Sequence, residues 1–300
     1  MFFPVDEPST ILAAEEKSSH YKSTLTPSPT DEAFISALPD PQPFTAFLSQ
    51  TRSHLEKYPL ALIGEVGLDK SFRIPEDWLP EEKKARDAGL TEGGREGRRL
   101  SPYRVSMDHQ KKILLAQLKL AGEMGRPVSC HGVAAHGVLF DTLSSTWKGH
   151  ERKVKSKREK KRDRVEDVEE QNKEGGTPYP PRICLHSFSG PAEQVKMYCN
   201  PSIPCDIFFS FSATINFSEV DEEVADKKQE WEKVNRKAIE SIKAVPKEKI
   251  LVESDLHTAG ERMDGFLQQI VTWICEIKGW ELEDGVRILG DNWRRFVFGV

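Results

Sequence analysis

Short apolar runs recur along this chain, separated by longer stretches with helical periodicity. They are Ala61-Leu62-Ile63-Gly64-Glu65-Val66, Pro127-Val128-Ser129-Cys130-His131, Arg182-Ile183-Cys184-Leu185-His186, Ile207-Phe208-Phe209-Ser210-Phe211 and Ile250-Leu251-Val252-Glu253-Ser254-Asp255. Runs this short and this apolar predict strands buried on both faces. Between them, Phe44, Phe47, Leu48 and Leu55 fall at helical spacing over 44–57, leading into the first strand. Met107, Leu114, Leu118 and Ala121 mark one face of a helix over 107–124, with Gly125 at its C-cap position and Pro127 opening the next strand. Further helices are predicted over about 191–199, 229–245, 262–278 and 282–297.

Strands alternating with crossover helices predict an α/β fold with a parallel sheet. Four of the five runs deliver a carboxylate or an imidazole at or near the strand end, the arrangement of a (β/α)8 barrel with a site at its C-terminal rim. The strands at 61–66, 127–131, 182–186, 207–211 and 250–255 number five where a closed barrel needs eight, so an incomplete barrel is expected. The pattern breaks twice. Residues 1–45, with Thr26-Pro27-Ser28-Pro29 and Pro39-Asp40-Pro41, read as an irregular Pro/Ser-rich segment with at most one short helix. A barrel domain over 46–300 is then interrupted by a charged insertion at about 148–178, and a polar loop spans about 70–105.

Composition sharpens this picture. Hydrophobic residues make up 37% of the 300 and charged residues 30%, so the core forms around solvated insertions. Lys148 to Arg164 hold ten Lys/Arg against three acids, and an acidic run follows. This reads as a solvated face, with nucleic-acid or nuclear-localisation contact as the sharper alternative. The net charge of −5 gives no global attraction to nucleic acid. Five cysteines without a Cys-x-x-Cys argue against a disulfide framework or zinc ribbon. The absence of an apolar run of about 18 residues or a leader-like N-terminus predicts an intracellular protein, cytoplasmic or nuclear, with no membrane contact.

The candidate chemistry lies in Glu65, His131, His186 and Asp255. A carboxylate, two imidazoles and a second carboxylate suit Zn²⁺ or a similar divalent ion, and Glu65 is of the type that bridges two ions. Asp255 is the candidate general base. Taken singly, each has an ordinary alternative: a turn glutamate, a rim histidine, a helix-capping aspartate.

Ile63-Gly64-Glu65-Val66-Gly67-Leu68-Asp69, Pro127-Val128-Ser129-Cys130-His131, Leu185-His186-Ser187-Phe188-Ser189-Gly190 and Leu251-Val252-Glu253-Ser254-Asp255 resemble the signatures of TatD-type metal-dependent deoxyribonucleases. Gln110, Gln117-Leu118 and Asn292 add to the likeness, which covers about 55–300; the insertion resembles a fungal branch of the family. The resemblance implies a TIM-type barrel of the metal-dependent hydrolase kind, DNA as substrate, and one or two divalent ions (Zn²⁺, Mg²⁺ or Mn²⁺). It also implies Glu65 bridging the ions, His131 and His186 binding one, and Asp255 binding the other and assisting as base.

The chain departs from that pattern. The family's His-x-His pair is absent, since only His20 and His54 precede Glu65. The expectation is a chain truncated at the N-terminus, carrying strands 4–8 and lacking 1–3, with at most one well-held ion and impaired activity. His131-Gly132-Val133 and Asp255-Leu256-His257 depart as well, with His257 read as a rim residue. Two other readings stay open: a catalytically defective interaction protein that docks through its charged insertion, and a metal-dependent hydrolase of a non-nucleic ester or amide.

Overall fold

The computed structural model describes residues 14–79, 81, 84, 98–154, 176–219 and 227–300. The charged insertion falls outside the described residues over 155–175, as does the glycine- and arginine-rich stretch at 93–97 of the polar loop.

Five strands form one parallel sheet in chain order: β2 (Ile63–Asp69), β4 (Val128–Val133), β5 (Arg182–Leu185), β6 (Asp206–Phe211) and β7 (Ile250–Val252). Each neighbour follows its predecessor through a helical crossover, the connection that parallel strands require. The helices Met107–Glu123, Ala192–Tyr198, Glu261–Lys278 and Leu282–Phe298 stand where the periodicity placed them. Ser106 caps the first of these by accepting from His109 N, and Gly125 ends it at φ 63°. The helix expected over 229–245 is two, Lys227–Val234 and Arg236–Ala244. Buried Asn235 divides them, its amide exchanging hydrogen bonds with the backbone of Ser218 (2.7 and 3.0 Å) instead of facing solvent on a helix. A helix over His136–Trp147 was not anticipated.

The N-terminal stretch expected to be irregular carries two helices, Ala14–Thr24 and Glu32–Ala37. Short β1 (Leu25–Thr26) pairs antiparallel with β3 (Arg104–Val105) within the expected polar loop. Composition missed this because the segment's few apolar residues are spread out. Tyr21, Leu25 and Ile35 reach across the chain to Ile74, with Phe34 and Tyr103 packed on them, and together make a small second core.

Register assigns the two faces of the main sheet. Val128, Cys130, Ile183, Leu185, Ile207, Phe209, Phe211 and Ile250 share one face, packed in the main core with helix residues such as Leu118, Leu143, Ile242 and Ile274. The opposite face carries Ser129, Cys184, Phe208, Ser210 and Leu251 along the strands. The last helix covers part of it with Phe296. Period-2 alternation continues this second face to His131, His186 and Glu253.

Strand β2 joins the sheet with a bulge. Ile63 pairs with Val128 and Val66 with Cys130, so Gly64 and Glu65 together oppose Ser129. The extra residue aims Glu65 away from the core face. Close approach permits this pairing: a Cβ on Gly67 would lie 2.0 Å from the His131 carbonyl oxygen.

The last helix is tied to β7 by fully buried Asn292, whose Nδ2 donates to Lys247 O (2.7 Å) and Ile250 O (2.8 Å). Replacing Asn292 with Ala strands both carbonyls, and equilibrium denaturation is expected to show a loss of about 2–4 kcal/mol. A loss below about 1 kcal/mol would mean that water replaces the amide.

Candidate metal centre

The four residues singled out from sequence meet at the C-terminal edge of the sheet. Glu65 sits in the bulge of β2, His131 within β4, His186 directly after β5, and Asp255 three residues beyond β7. Glu65 is therefore a mid-strand residue brought to the rim by the bulge, not the end of a regular strand.

His131 Nδ1 lies 2.5 Å from Glu65 Oε1, and its Nε2 faces Asp69 Oδ2 at 3.8 Å. His186 Nε2 lies 2.9 Å from Asp255 Oδ1 and 3.7 Å from Glu65 Oε1. Its other nitrogen, Nδ1, lies 2.7 Å from Glu253 Oε2. Among the described residues two overlapping groups of donors have the spacing to hold a metal ion, Glu65–His131–His186 and His186–Glu253–Asp255. His257 is exposed and belongs to neither, and His20 and His54 lie on N-terminal helices.

Glu253 was quoted in the sequence motif without a role, and the structure gives it one. Its Oε1 accepts from Ser187 N (2.8 Å) and from Ser187 Oγ, and its Oε2 from Ser210 Oγ (2.6 Å). A carboxylate fixed by two serines fixes His186 in turn, leaving Nε2 turned toward Glu65 and Asp255. Strand alternation from Leu251 through 253 to 255 was the available signal. For Ser210 it was a lone hydroxyl inside Ile-Phe-Phe-Ser-Phe. Gln110 was noted only as part of the family likeness; its amide accepts from Asp69 N (2.8 Å) and donates to Asp69 O (2.9 Å), locking the end of β2 to the following helix.

The electrostatics follow from this crowding. Burial alone would lower the His186 imidazole, but the hydrogen bond and charge of Glu253, with Glu65 and Asp255, outweigh it and push its pKa up to about 9. The Glu65 hydrogen bond likewise raises His131 against its burial. Burial would raise the Glu253 carboxyl, but His186 and the two serines hold it below its usual value. The His131 hydrogen bond does the same for Glu65, against its burial. Protons here answer a concentration of negative charge, and a divalent cation held among these imidazoles and carboxylates would answer the same charge. The donor set of imidazole and carboxylate fits such an ion.

The rim is also sharply turned. Ala134 (φ 51°), Ser187 (φ 42°) and Asp255 (φ 56°) take left-handed backbone in the segments leaving β4, β5 and β7. Each costs about 1–2 kcal/mol, and such geometry clusters where side chains must be aimed at a common point.

A parallel α/β sheet with metal-type donors gathered at its C-terminal edge defines the class. The chain belongs to the TatD related DNase family, whose profile matches residues 12–298. It is 37% identical over 281 residues to the Cut9-interacting protein scn1 of Schizosaccharomyces pombe, covering 94% of this chain and 75% of that protein. An uncharacterized deoxyribonuclease of Saccharomyces cerevisiae is 26% identical over 211 residues, covering 69% of this chain and 53% of its own length. Among solved structures, the TatD homolog YjjV of Escherichia coli superimposes with a TM-score of 0.47 at 17% identity, over 84% of this chain and 70% of its own.

Two measurements test the role of Glu253. In metal-free protein the folded-state His186 holds its proton more tightly than the unfolded chain does. Its stabilisation is therefore complete below pH 6.5 and is lost as pH rises through about 9. Glu253→Gln should flatten that dependence in denaturation series and weaken divalent-ion affinity by about 10–100-fold in calorimetry. An unchanged ion affinity would show that Glu253 does not orient His186 for an ion.

Proposed function

We propose that this chain is a metal-dependent hydrolase of phosphodiester bonds, with DNA as the substrate class. The observation that carries the reading is the Glu65–His131–His186 donor group with Asp255 beside it, in a chain of the TatD related DNase family. In this reading the five parallel strands correspond to strands 4–8 of a TIM-type barrel, spanning 46–300 behind an N-terminal segment.

Glu65, His131 and His186 hold one divalent ion. Zn²⁺, Mg²⁺ and Mn²⁺ are the candidates, and the ion supplies electrostatic stabilisation as charge builds on the phosphoryl oxygens. Asp255 stands at the open side of the group, placed to take a proton from the attacking water. Glu253 and its serines keep His186 oriented throughout. Both donor groups draw on His186, whose Nδ1 is committed to Glu253. One nitrogen serves one ion, so the centre holds a single well-bound ion.

A second reading is favoured by one observation: the S. pombe relative is named for its interaction with another protein. Here the chain would be a docking protein, with the charged insertion as its contact surface. In either case five free cysteines, four of them buried, suit a reducing compartment, cytoplasmic or nuclear.

Release of nucleotides from single-stranded DNA in the presence of Mg²⁺, Mn²⁺ or Zn²⁺ tests the nuclease. Chelation is expected to abolish it, and Asp255→Asn to cost about 10²–10⁴-fold in kcat. Activity indifferent to Glu65→Ala would sink the assignment, and an esterase without nuclease activity would shift it to a non-nucleic substrate. Calorimetric titration is expected to give one ion per chain; two equivalent tight sites would refute the single-ion centre.

A further inference from the structure

Each imidazole of the centre has a carboxylate on the side away from the other donors, and one of these two carboxylates has no role so far. Glu253 accepts on Oε1 from the N–H and the hydroxyl of Ser187 and turns Oε2 to His186 Nδ1 at 2.7 Å. Asp69 repeats the arrangement at His131. Its Oδ1 accepts from Ser71 N (2.7 Å), Ser71 Oγ (2.8 Å) and Phe72 N (2.9 Å). Its Oδ2 faces His131 Nε2 at 3.8 Å. In both cases a serine fixes one carboxylate oxygen and the other is turned to a ring nitrogen.

Register puts Asp69 there. Gly67 is the partner of His131 across β2 and β4, and Glu65 and Asp69 stand two residues to either side of it. Strand alternation turns both acids to the same face, where Gly67 has no side chain to separate them. The main chain at Asp69 is held independently by Gln110, which meets its N–H (2.8 Å) and its C=O (2.9 Å). At 3.8 Å the Asp69 pair is wider than a hydrogen bond, and the ring sits against Glu65 instead, with Nδ1 2.5 Å from Oε1. An ion taken up on Nδ1 requires that nitrogen free of its proton. The proton then belongs on Nε2, and a carboxylate facing Nε2 favours it there.

We propose that Asp69 is the positioning residue for His131. It favours the proton on Nε2 and so leaves Nδ1, the nitrogen beside Glu65, to a divalent ion. The inference rests on the metal-centre reading but not on DNA as the substrate.

The test uses the full chain. Asp69→Asn keeps an oxygen for the Ser71 turn and presents an amide N–H group to His131, whereas Asp69→Ala removes turn acceptor and carboxylate together. Calorimetric titration with Zn²⁺ is expected to show affinity about 10–100-fold weaker in both variants. Denaturation of the metal-free protein should show a clear loss of stability in Asp69→Ala alone. In the Zn²⁺-loaded wild type, nitrogen-resolved histidine spectra are expected to place the His131 proton on Nε2 and to show it protected from exchange with water. Asp69→Asn should lose that protection. A loss of Zn²⁺ affinity confined to Asp69→Ala would make Asp69 a turn residue and overturn the inference. Ligation through Nε2, or an Nε2 proton that exchanges freely, overturns it from the wild type alone, even where a variant fails to fold. If Asp69→Asn weakens Zn²⁺ binding and the wild type cleaves no DNA with any ion, the nuclease reading falls and the role of Asp69 stands. If ion-dependent cleavage is present and Asp69→Asn binds Zn²⁺ as the wild type does, the role falls and the nuclease stands. A wild type that binds no ion ends both.

Discussion

The contact between Glu253 and His186 holds the candidate centre to the C-terminal edge of the sheet. His186 leaves β5, Glu253 leaves β7, and Ser210 from β6 lies between them and donates to the same carboxylate. Three neighbouring strands are thus joined at their C-terminal ends by one half-buried acid. A carboxylate in that position is tolerable only because an imidazole, two hydroxyls and an amide N–H meet it, since a buried charge without partners costs several kcal/mol. The requirement propagates outward. It fixes the ring of His186, and through that ring the relation of Glu65 on one side to Asp255 on the other.

The sheet below supplies the precision for that meeting. One face is a continuous apolar layer against the crossover helices; the other changes from apolar to polar along its length, ending in His131, His186 and Glu253. Packing the first face sets the register, and the register decides which side chains reach the rim. The left-handed turns at Ala134, Ser187 and Asp255 spend some of the stability gained in the core on aiming those residues.

How much of this could be read from the chain follows from how local each signal is. The five strands and the long helices announce themselves through periodicity, because burial acts on every second or every third and fourth residue. Glu65, His131, His186 and Asp255 were legible as ionisable groups at or near the ends of apolar runs. Glu253 was in plain view yet unassigned, because its partners, Ser187 and Ser210, lie 66 and 43 residues away in sequence. The small core of Tyr21, Leu25, Ile35 and Ile74 was illegible for the same reason: no window of ten residues contains enough of it. Asn235 splits a helix whose pattern runs on through the break, since the bond that divides it comes from Ser218.

The bulge between Ile63 and Val66 constrains this protein's history in a way its contacts alone do not express. Glu65 faces the rim because β2 carries one residue more than its partner across that interval. Deleting a single residue there would restore an even pairing and turn the acid's position over to the opposite face. The segment should therefore reject a change in its length as well as any side chain larger than hydrogen at Gly67, where a Cβ would meet the His131 carbonyl.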